Sequence, residues 1–104
     1  MQIKIPDPVG FEWDEGNRDK NLKHSVYASE AEEIFFKEPL VILLDKKHST
    51  GKESRLLALG KTKLNRKLSV IFVVKGNKLR IISARDMNKK ESIRYGQSKI
   101  KNNS

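Results

Sequence analysis

The fold is decided by the segment Lys67-Leu-Ser-Val-Ile-Phe-Val-Val-Lys-Gly-Asn-Lys-Leu-Arg-Ile-Ile-Ser-Ala-Arg85. Two runs rich in Val, Ile and Leu flank Gly76-Asn77, a two-residue turn that predicts a β-hairpin. With similar runs earlier in the chain, four strands are predicted, over Leu40 to Asp45, Glu53 to Lys61, Lys67 to Lys75 and Lys78 to Arg85. Consecutive strands usually pair with each other, so the simplest topology is a four-stranded antiparallel sheet.

Two helices are predicted before these strands. Asp14 can cap a first helix over about Glu15 to Lys23. Ser29 and Glu32 have the spacing of a capping box, which predicts the start of a second helix. Pro39 ends this second helix, because proline lacks an amide donor and disfavours helical backbone in the residue before it.

The hairpin leads directly into a third helix. Asn88 and Glu91 repeat the capping-box spacing, so this helix is predicted to open at Asn88. The expected fold is α+β, with two N-terminal helices, a four-stranded antiparallel sheet and a C-terminal helix. The helices are expected to lie on one side of the sheet, which leaves part of the other face open. A chain of 104 residues supports one domain, within which residues 1–10 and 98–104 are predicted to be flexible.

Charge is distributed unevenly along the chain. The net charge is +9, but residues 1–52 carry 8 Lys/Arg against 10 Asp/Glu, whereas residues 53–104 carry 14 against 3. A basic half of this density is typical of proteins that bind nucleic-acid phosphates. Solubility or an acidic protein partner also produces basic domains, so a non-catalytic binding or interaction module stays open as the alternative.

The composition limits the kinds of site that the protein could contain and indicates its cellular compartment. There is no cysteine, which excludes disulfides and thiolate metal sites and is compatible with a reducing cytosol. No zinc-ligand spacing, phosphate-binding glycine loop or nucleophile elbow is present, so neither metal nor cofactor is expected. The start of the chain has no export signal and the longest apolar runs are five residues, which predicts a cytoplasmic protein without a membrane span.

Arginines near the ends of strands are the first candidate site residues. Alternation places Ser83 and Arg85 on one face of the last strand and Arg80 on the opposite face, while Arg55 lies on an earlier strand. Arginine binds phosphate bidentately and stays charged at any working pH. For a single arginine, a solvated position or a salt bridge is the more common explanation, but two of them at the ends of strands beside a basic helix favour phosphate contact.

Proton transfer would need a different set of side chains. His24 and His48 are the only imidazoles. His24 ends the first predicted helix, as a capping residue or as a proton acceptor, whereas His48 lies in a lysine-rich loop and is expected to be solvated. Tyr95 lies one turn after Glu91 and either packs on the sheet or presents its hydroxyl or ring to RNA. Glu91 is interpreted as the helix cap.

These residue types would suffice for RNA cleavage without a metal. The ribose 2′-hydroxyl would attack the adjacent phosphorus, while the protein would position the strand, accept and donate a proton and place cations against the developing negative charge.

A set of positions between Phe11 and Gln97 forms one pattern: Phe11-Glu-Trp-Asp14, Asn17, Lys20, His24, Val26, Glu30-Ala-Glu-Glu-Ile-Phe-Phe36, Glu38-Pro-Leu40, Glu53, Arg55, Gly60, Arg80-Ile-Ile-Ser-Ala-Arg-Asp-Met-Asn88, Glu91 and Tyr95. This pattern resembles the BrnT toxin family, and the Ile-Ser-Ala-Arg segment is its most specific part. Ser25 stands where a glycine commonly follows the histidine in the family, which indicates a position that needs positive φ.

The resemblance implies a RelE-like ribonuclease toxin of a bacterial type II toxin–antitoxin module. It implies metal-independent cleavage of mRNA that halts translation, inhibition by a BrnA-type antitoxin with a ribbon-helix-helix DNA-binding part, and contact with operator DNA through that complex. By the same resemblance the catalytic residues are His24, Arg55, Ser83, Arg85 and Tyr95. The further side chains expected to contact RNA are Lys20, Arg80, Lys89, Lys90 and Arg94.

Overall fold

The computed structural model describes residues 5, 10–13, 25–47, 49 and 54–102, with the backbone alone for 98–102. Along the chain the elements are strand β1 (Gly10–Trp13), helix α1 (Ala28–Glu33), a 3₁₀ helix (Ile34–Phe36), strands β2 (Val41–Leu44), β3 (Leu56–Lys61), β4 (Lys67–Lys75) and β5 (Lys78–Asp86), and helix α2 (Lys89–Asn102). The helix predicted over residues 15–23 lies outside the described residues. No helix within these ranges is long and apolar enough to cross a membrane.

The sheet has five strands in the order β1-β5-β4-β3-β2. The four predicted strands are present, and β2 to β5 pair antiparallel in sequence order. The prediction of a wholly antiparallel, four-stranded sheet is nevertheless wrong, because β1 adds a fifth strand that runs parallel to β5. β1 is only four residues long and its partner lies near the other end of the chain, so no local pattern indicates the pairing.

One face of the sheet packs against α1 and the 3₁₀ helix to form the main core. The rings of Phe35 and Phe72 meet edge to face at 5.1 Å between centroids, and Phe11 packs against Phe35 at 5.6 Å. A Cβ atom added to Gly60 would lie 2.9 Å from Ile34 Cβ, so only glycine lets the 3₁₀ helix approach β3 this closely. The expected α+β class is confirmed by this layer of helix on sheet.

Helix α1 begins earlier than the sequence predicted. Its N-cap is Tyr27, and the side chain of Glu30, at the third helical position, accepts a hydrogen bond from the Tyr27 amide at 3.1 Å. The predicted capping box of Ser29 with Glu32 is therefore wrong by two residues. Acidic residues cluster at this point in the chain, and Glu32 instead accepts a hydrogen bond from the indole nitrogen of Trp13 at 2.8 Å. Tertiary contacts thus decide which glutamate caps the helix.

Helix α2 packs on the other side of the sheet, which we call the α2 face, so the expectation that the helices lie on one side is wrong. A second, smaller cluster of buried residues lies beneath it, formed by Tyr95 of the helix with Val41 and Leu59 of the sheet. Met87, Leu43 and Leu57 border this cluster and are partly buried. Because Tyr95 reaches from the end of β5 to β2, the helix crosses the strands at one end of the sheet.

Candidate active site

A β-bulge interrupts the pairing of β4 with β5. Ile71 pairs with Ser83, whereas the next residue of β4, Phe72, pairs with Ile81. One extra residue, Ile82, therefore sits in β5 between the two pairs and shifts the alternation of side chains beyond it.

The bulge decides which polar residues of β5 share a face. Directly paired residues point to the same side of a sheet, and Arg80 pairs with Val73, two residues from Ile71. Arg80 therefore points to the α2 face, together with Ser83 and Arg85. The sequence prediction that Arg80 lies on the opposite face is wrong, because strict alternation takes no account of a bulge.

Arg85 is held by the carboxylate of Glu91. Its Nη1 and Nη2 donate to Glu91 Oε1 and Oε2 at 2.7 and 2.9 Å. The Asn88 amide donates to Glu91 Oε1 at 2.9 Å and Asn88 Oδ1 accepts from the Glu91 amide at 2.8 Å, which confirms the capping box predicted for this helix. Ser69 Oγ donates to Glu91 Oε2 at 3.2 Å. One carboxylate thus caps α2 and orients Arg85.

The charges of this pair are stable at neutral pH. The hydrogen bonds to Glu91 raise the pKa of Arg85 although partial burial opposes the shift. Burial works to raise the pKa of Glu91, but the hydrogen bonds from Arg85 and Asn88 outweigh it, and this pKa lies below its usual value. The Arg85 side chain is 41% exposed and that of Glu91 13%, so solvent and any ligand meet the guanidinium first.

Arg55 lies immediately before β3, at the end of the sheet away from α2. Its amide donates to Ser49 Oγ at 3.0 Å, and its carbonyl accepts from the Asp45 amide at 2.8 Å. Ser49 Oγ also donates to the Asp45 carbonyl at 2.7 Å. These bonds fix the backbone on both sides of the β2–β3 connection and hold Arg55 in line with β3.

The pairing of the strands places Arg55 in line with Arg80 across the sheet. Leu56 pairs with Phe72, and extending this register by one residue sets Arg55 beside Val73, whose other neighbour is Arg80. Two strand spacings of about 4.8 Å separate the backbones of the two arginines by about 10 Å. Arg55, Arg80, Ser83 and Arg85 therefore share the α2 face, and all four side chains are partly exposed.

Tyr95 occupies a different environment from the one expected of a catalytic residue. Its side chain is 1% exposed, and its hydroxyl donates to the Pro39 carbonyl at 2.6 Å. Burial raises the pKa of Tyr95 to about 12. A hydroxyl that is buried, neutral and bonded to the backbone does not fit the catalytic role predicted from the sequence. The packing role, which the sequence left open beside it, describes this position.

The remaining predicted residues divide into two groups. Lys89, Lys90 and Arg94 are exposed on the first turns of α2. They add positive charge to the border of the site. The three others, Lys20, His24 and His48, lie outside the described residues.

Arg66, which was not among the predicted site residues, connects three parts of the chain. Its Nε and Nη2 donate to the Asp86 carboxylate at 2.8 and 3.1 Å, and its Nη1 donates to Glu30 Oε1 at 3.1 Å and to the Ser25 carbonyl at 2.8 Å. The hydrogen bond with Asp86 is the main cause that raises the pKa of Arg66. The only feature of the sequence that could have indicated this contact is Asp86, because it is one of three acidic residues among residues 53–104.

Ser25 adopts the backbone conformation that its place in the pattern indicated. Its φ is 59°, in the left-handed region that favours glycine. The Ser25 carbonyl accepts a hydrogen bond from the Arg66 guanidinium, which also binds Asp86 at the end of β5. Ser25 therefore lies at the same end of β5 as Arg85.

Cations are concentrated on the α2 face of the sheet. Helix α1, on the core side, contributes Glu30, Glu32 and Glu33. On the α2 face the acids of the described segments include Glu91 and Glu12, which pairs with Arg80 across β1 and β5. The cations of this face are Arg55, Lys61, Lys67, Lys75, Lys78, Arg80, Arg85, Lys89, Lys90 and Arg94. An extended polyanion is the ligand that this surface suits best.

Comparisons with known proteins identify the family of the chain. The family model for the ribonuclease toxin BrnT of type II toxin-antitoxin systems matches residues 13–91. Among solved structures, the 1.1 Å crystal structure of the Brucella abortus ribonuclease toxin BrnT is similar, with a TM-score of 0.56 and 25% sequence identity, over 77% of this chain and 97% of that chain. No curated protein matches the chain in sequence. Because the family model spans most of its length, the chain belongs to the BrnT family of ribonuclease toxins of type II toxin–antitoxin systems.

Proposed function

We propose that this protein cleaves single-stranded mRNA on the open part of the α2 face, without a metal ion, and so inhibits translation in the cytoplasm. The observation that carries the proposal is the alignment of Arg80, Ser83 and Arg85 on one face of β5, beside the exposed cations of α2. Membership of a ribonuclease toxin family supports the same reaction class.

The proposed reaction needs side chains that position the scissile phosphate and a side chain that accepts a proton. Arg55 and Arg85 bind the scissile phosphate, and Ser83, which lies two residues before Arg85, donates its hydroxyl to a phosphate oxygen. The ribose 2′-hydroxyl loses its proton and its oxygen bonds to phosphorus, while the bond to the 5′-oxygen of the next nucleotide breaks. That oxygen takes a proton from water, which leaves a 2′,3′-cyclic phosphate and a 5′-hydroxyl. The arginines stabilise the negative charge that accumulates on phosphate oxygens, a task that a metal ion would otherwise perform.

His24 is the proposed proton acceptor. The burial of Tyr95 and its bond to Pro39 argue against the tyrosine. An imidazole titrates near neutrality and can accept the 2′-hydroxyl proton there.

The antitoxin partner follows from the family and from charge. A type II module pairs each toxin with an antitoxin. We propose a BrnA-type protein with a ribbon-helix-helix part, which covers the basic α2 face and carries the toxin to operator DNA without direct DNA contact by this chain. Coexpression and purification with the product of a neighbouring gene would test the partner.

One observation favours the alternative of a non-catalytic module. Glu91 already neutralises much of the charge of Arg85, as in a structural ion pair. Under this alternative the chain binds RNA or an acidic protein segment and leaves RNA intact.

An RNA cleavage assay separates the two functions. The purified full chain, freed of antitoxin, is incubated with single-stranded RNA in excess EDTA. We expect cleavage with 2′,3′-cyclic phosphate ends, and none when the ribose at the cleavage position lacks its 2′-hydroxyl. Arg55→Ala and Ser83→Ala should each lower the rate by roughly 10²-fold, the usual effect of losing one such donor.

The matched control is Lys63→Ala, which removes an exposed cation in the β3–β4 turn next to Glu33, on the α1 side. Its cleavage rate should equal that of the wild type. Intact RNA after long incubation with folded wild-type protein, or cleavage that requires an added divalent metal, would contradict the proposal.

A further inference from the structure

The β4–β5 hairpin ends in two lysines that face each other. Lys75 pairs directly with Lys78 across the turn formed by Gly76 and Asn77. Both side chains are exposed, and within the described part of the chain neither ammonium group makes a hydrogen bond or an ion pair. Like charges directly opposite each other on antiparallel strands destabilise a hairpin. This hairpin therefore keeps an arrangement that its own folding disfavours.

The turn geometry holds the two lysines in this register. Gly76 has a φ of 61°, a conformation that glycine adopts without strain and that a two-residue hairpin turn requires. The pairing of Val74 with Leu79 continues the ladder up to the turn. The ammonium groups consequently project from a regular hairpin and not from a loose loop.

The lysines belong to the same sheet face as the candidate active site. Lys75 follows Val73 by two residues, and Val73 pairs with Arg80, which the bulge turns to the α2 face. The cations on this face of β5 thus form one line, Lys78, Arg80 and Arg85, with Ser83 within it. Lys78 pairs with Lys75 and Arg85 with Ser69, so six residue steps of about 3.3 Å along β4 put Lys78 about 20 Å from Arg85. That span is too long for contacts to one phosphate.

We propose that Lys75 and Lys78 form a second phosphate-binding site for the same RNA strand, several nucleotides from the scissile phosphate. The inference rests on the proposed function for the identity of the ligand, which is the sugar–phosphate backbone of single-stranded RNA. The strand runs along β5 from the α2 end to the hairpin tip, and the hairpin reads backbone charge without base specificity. Cations spaced along a straight strand suit the successive phosphates of a polynucleotide backbone.

Binding of a non-cleavable strand tests this path separately from catalysis. The full chain is titrated with a single-stranded DNA of roughly 12 nucleotides, within the usual site sizes of single-strand binders. This probe carries the phosphates but lacks the 2′-hydroxyl that the proposed cleavage needs. The slope of log Kobs against log salt concentration is measured for the wild type, Lys78→Gln and the double variant Lys75→Gln with Lys78→Gln.

We expect the slope to decrease in magnitude by about 0.7 for each lysine removed, the value for one phosphate contact with a single strand. The melting temperature should stay equal or increase, because the lysine–lysine repulsion is removed. Weaker binding with unchanged or higher stability then cannot result from unfolding. Lys63→Gln, in the β3–β4 turn, serves as the charge-matched control and should leave the slope unchanged.

The outcomes separate this inference from the proposed function. An unchanged slope in the double variant overturns the second site, even if the chain cleaves RNA. A reduced slope supports the site, even if the cleavage assay finds no activity. Weaker binding of the antitoxin with an unchanged slope for the DNA probe also overturns it, since the hairpin would then serve a protein partner.

Discussion

Arg85 and Glu91 form a bidentate ion pair that joins the end of β5 to the first turn of α2, with N–O distances of 2.7 and 2.9 Å. The same carboxylate caps the helix through Asn88 and accepts a hydrogen bond from the buried Ser69 hydroxyl. The side chain that is proposed to bind phosphate is therefore also part of the contact between helix and sheet. Function and stability are coupled at this pair, and substitutions must be designed to separate them.

Arg85→Ala should abolish RNA cleavage and also lower stability. It leaves the Glu91 carboxylate, 13% exposed, without its cationic partner. Leaving a group of this kind unsatisfied costs about 1 to 3 kcal/mol. Urea denaturation measures the free energy of unfolding, and the RNA cleavage assay measures activity.

Combining Arg85→Ala with Glu91→Gln provides the control for this prediction. Glutamine keeps a capping box but carries no charge, so part of the lost stability should return. RNA cleavage should stay absent in the double variant. If cleavage returned together with stability, Arg85 would be a structural residue and its role at the phosphate would be wrong.

Acid should destabilise the protein through Glu91 and Asp86. Hydrogen bonds from Arg66 lower the pKa of Asp86 from its ordinary 3.8, and the pKa of Glu91 lies below its ordinary 4.5. Because both pKa values are lower in the folded state, the stability they contribute is fully present above about pH 4.5 and is lost as the pH falls through the folded values. Melting temperature measured against pH should fall in this window.

Glu91→Gln should flatten the acid limb of that curve, since the pair no longer titrates. Glu38→Gln replaces an exposed carboxylate and should leave the curve unchanged. A wild-type melting temperature that is constant from pH 5 to pH 3, in roughly the range where these carboxylates gain protons, would contradict the prediction.

Ser25→Gly should stabilise the protein by about 0.5 to 1 kcal/mol. The φ of 59° strains any residue with a Cβ atom, and glycine removes the strain while its carbonyl still accepts the bond from Arg66. Ser29→Gly is the matched control, because it places glycine at an exposed position of helix α1 and should destabilise by about 0.5 kcal/mol. Thermal or urea denaturation compares both variants, and equal losses would show that Ser25 is not strained.

Tyr95→Phe should reduce stability without reducing the rate of RNA cleavage. It removes the hydrogen bond to the Pro39 carbonyl, worth about 1 kcal/mol, but keeps the buried ring. Tyr27→Phe, at an exposed tyrosine, should change neither property. Loss of cleavage in folded Tyr95→Phe would restore the catalytic role that the sequence predicted.

Alkaline pH supplies a second test of Tyr95. Its folded pKa of about 12 is higher than the ordinary 10.0, so the stability linked to this group is present below about pH 10 and is lost as the pH rises toward 12. Tyr95→Phe should lose less stability than the wild type over this interval.

The strands, the hairpin turn and the cap of the last helix could be predicted because their signals are local. Alternating apolar residues, Gly76-Asn77 and the Asn88–Glu91 spacing each act within a few residues, and the pairing of β2 to β5 follows from neighbouring strands. The family could also be predicted, since its pattern is distributed along the chain.

Tertiary structure alone decided what the local signals could not specify. The bulge between β4 and β5 moved Arg80 onto the face of Arg85, and a single inserted residue changes this face without leaving a pattern in the sequence. Burial separated Tyr95 from the site, because nothing in its spacing indicates that its hydroxyl reaches Pro39. Strand β1 and the contacts of Arg66 join segments far apart in the chain. The sequence by itself therefore determined strands β2 to β5, the last helix and the basic charge of the surface, whereas long-range packing added β1 and determined which side chains stand together.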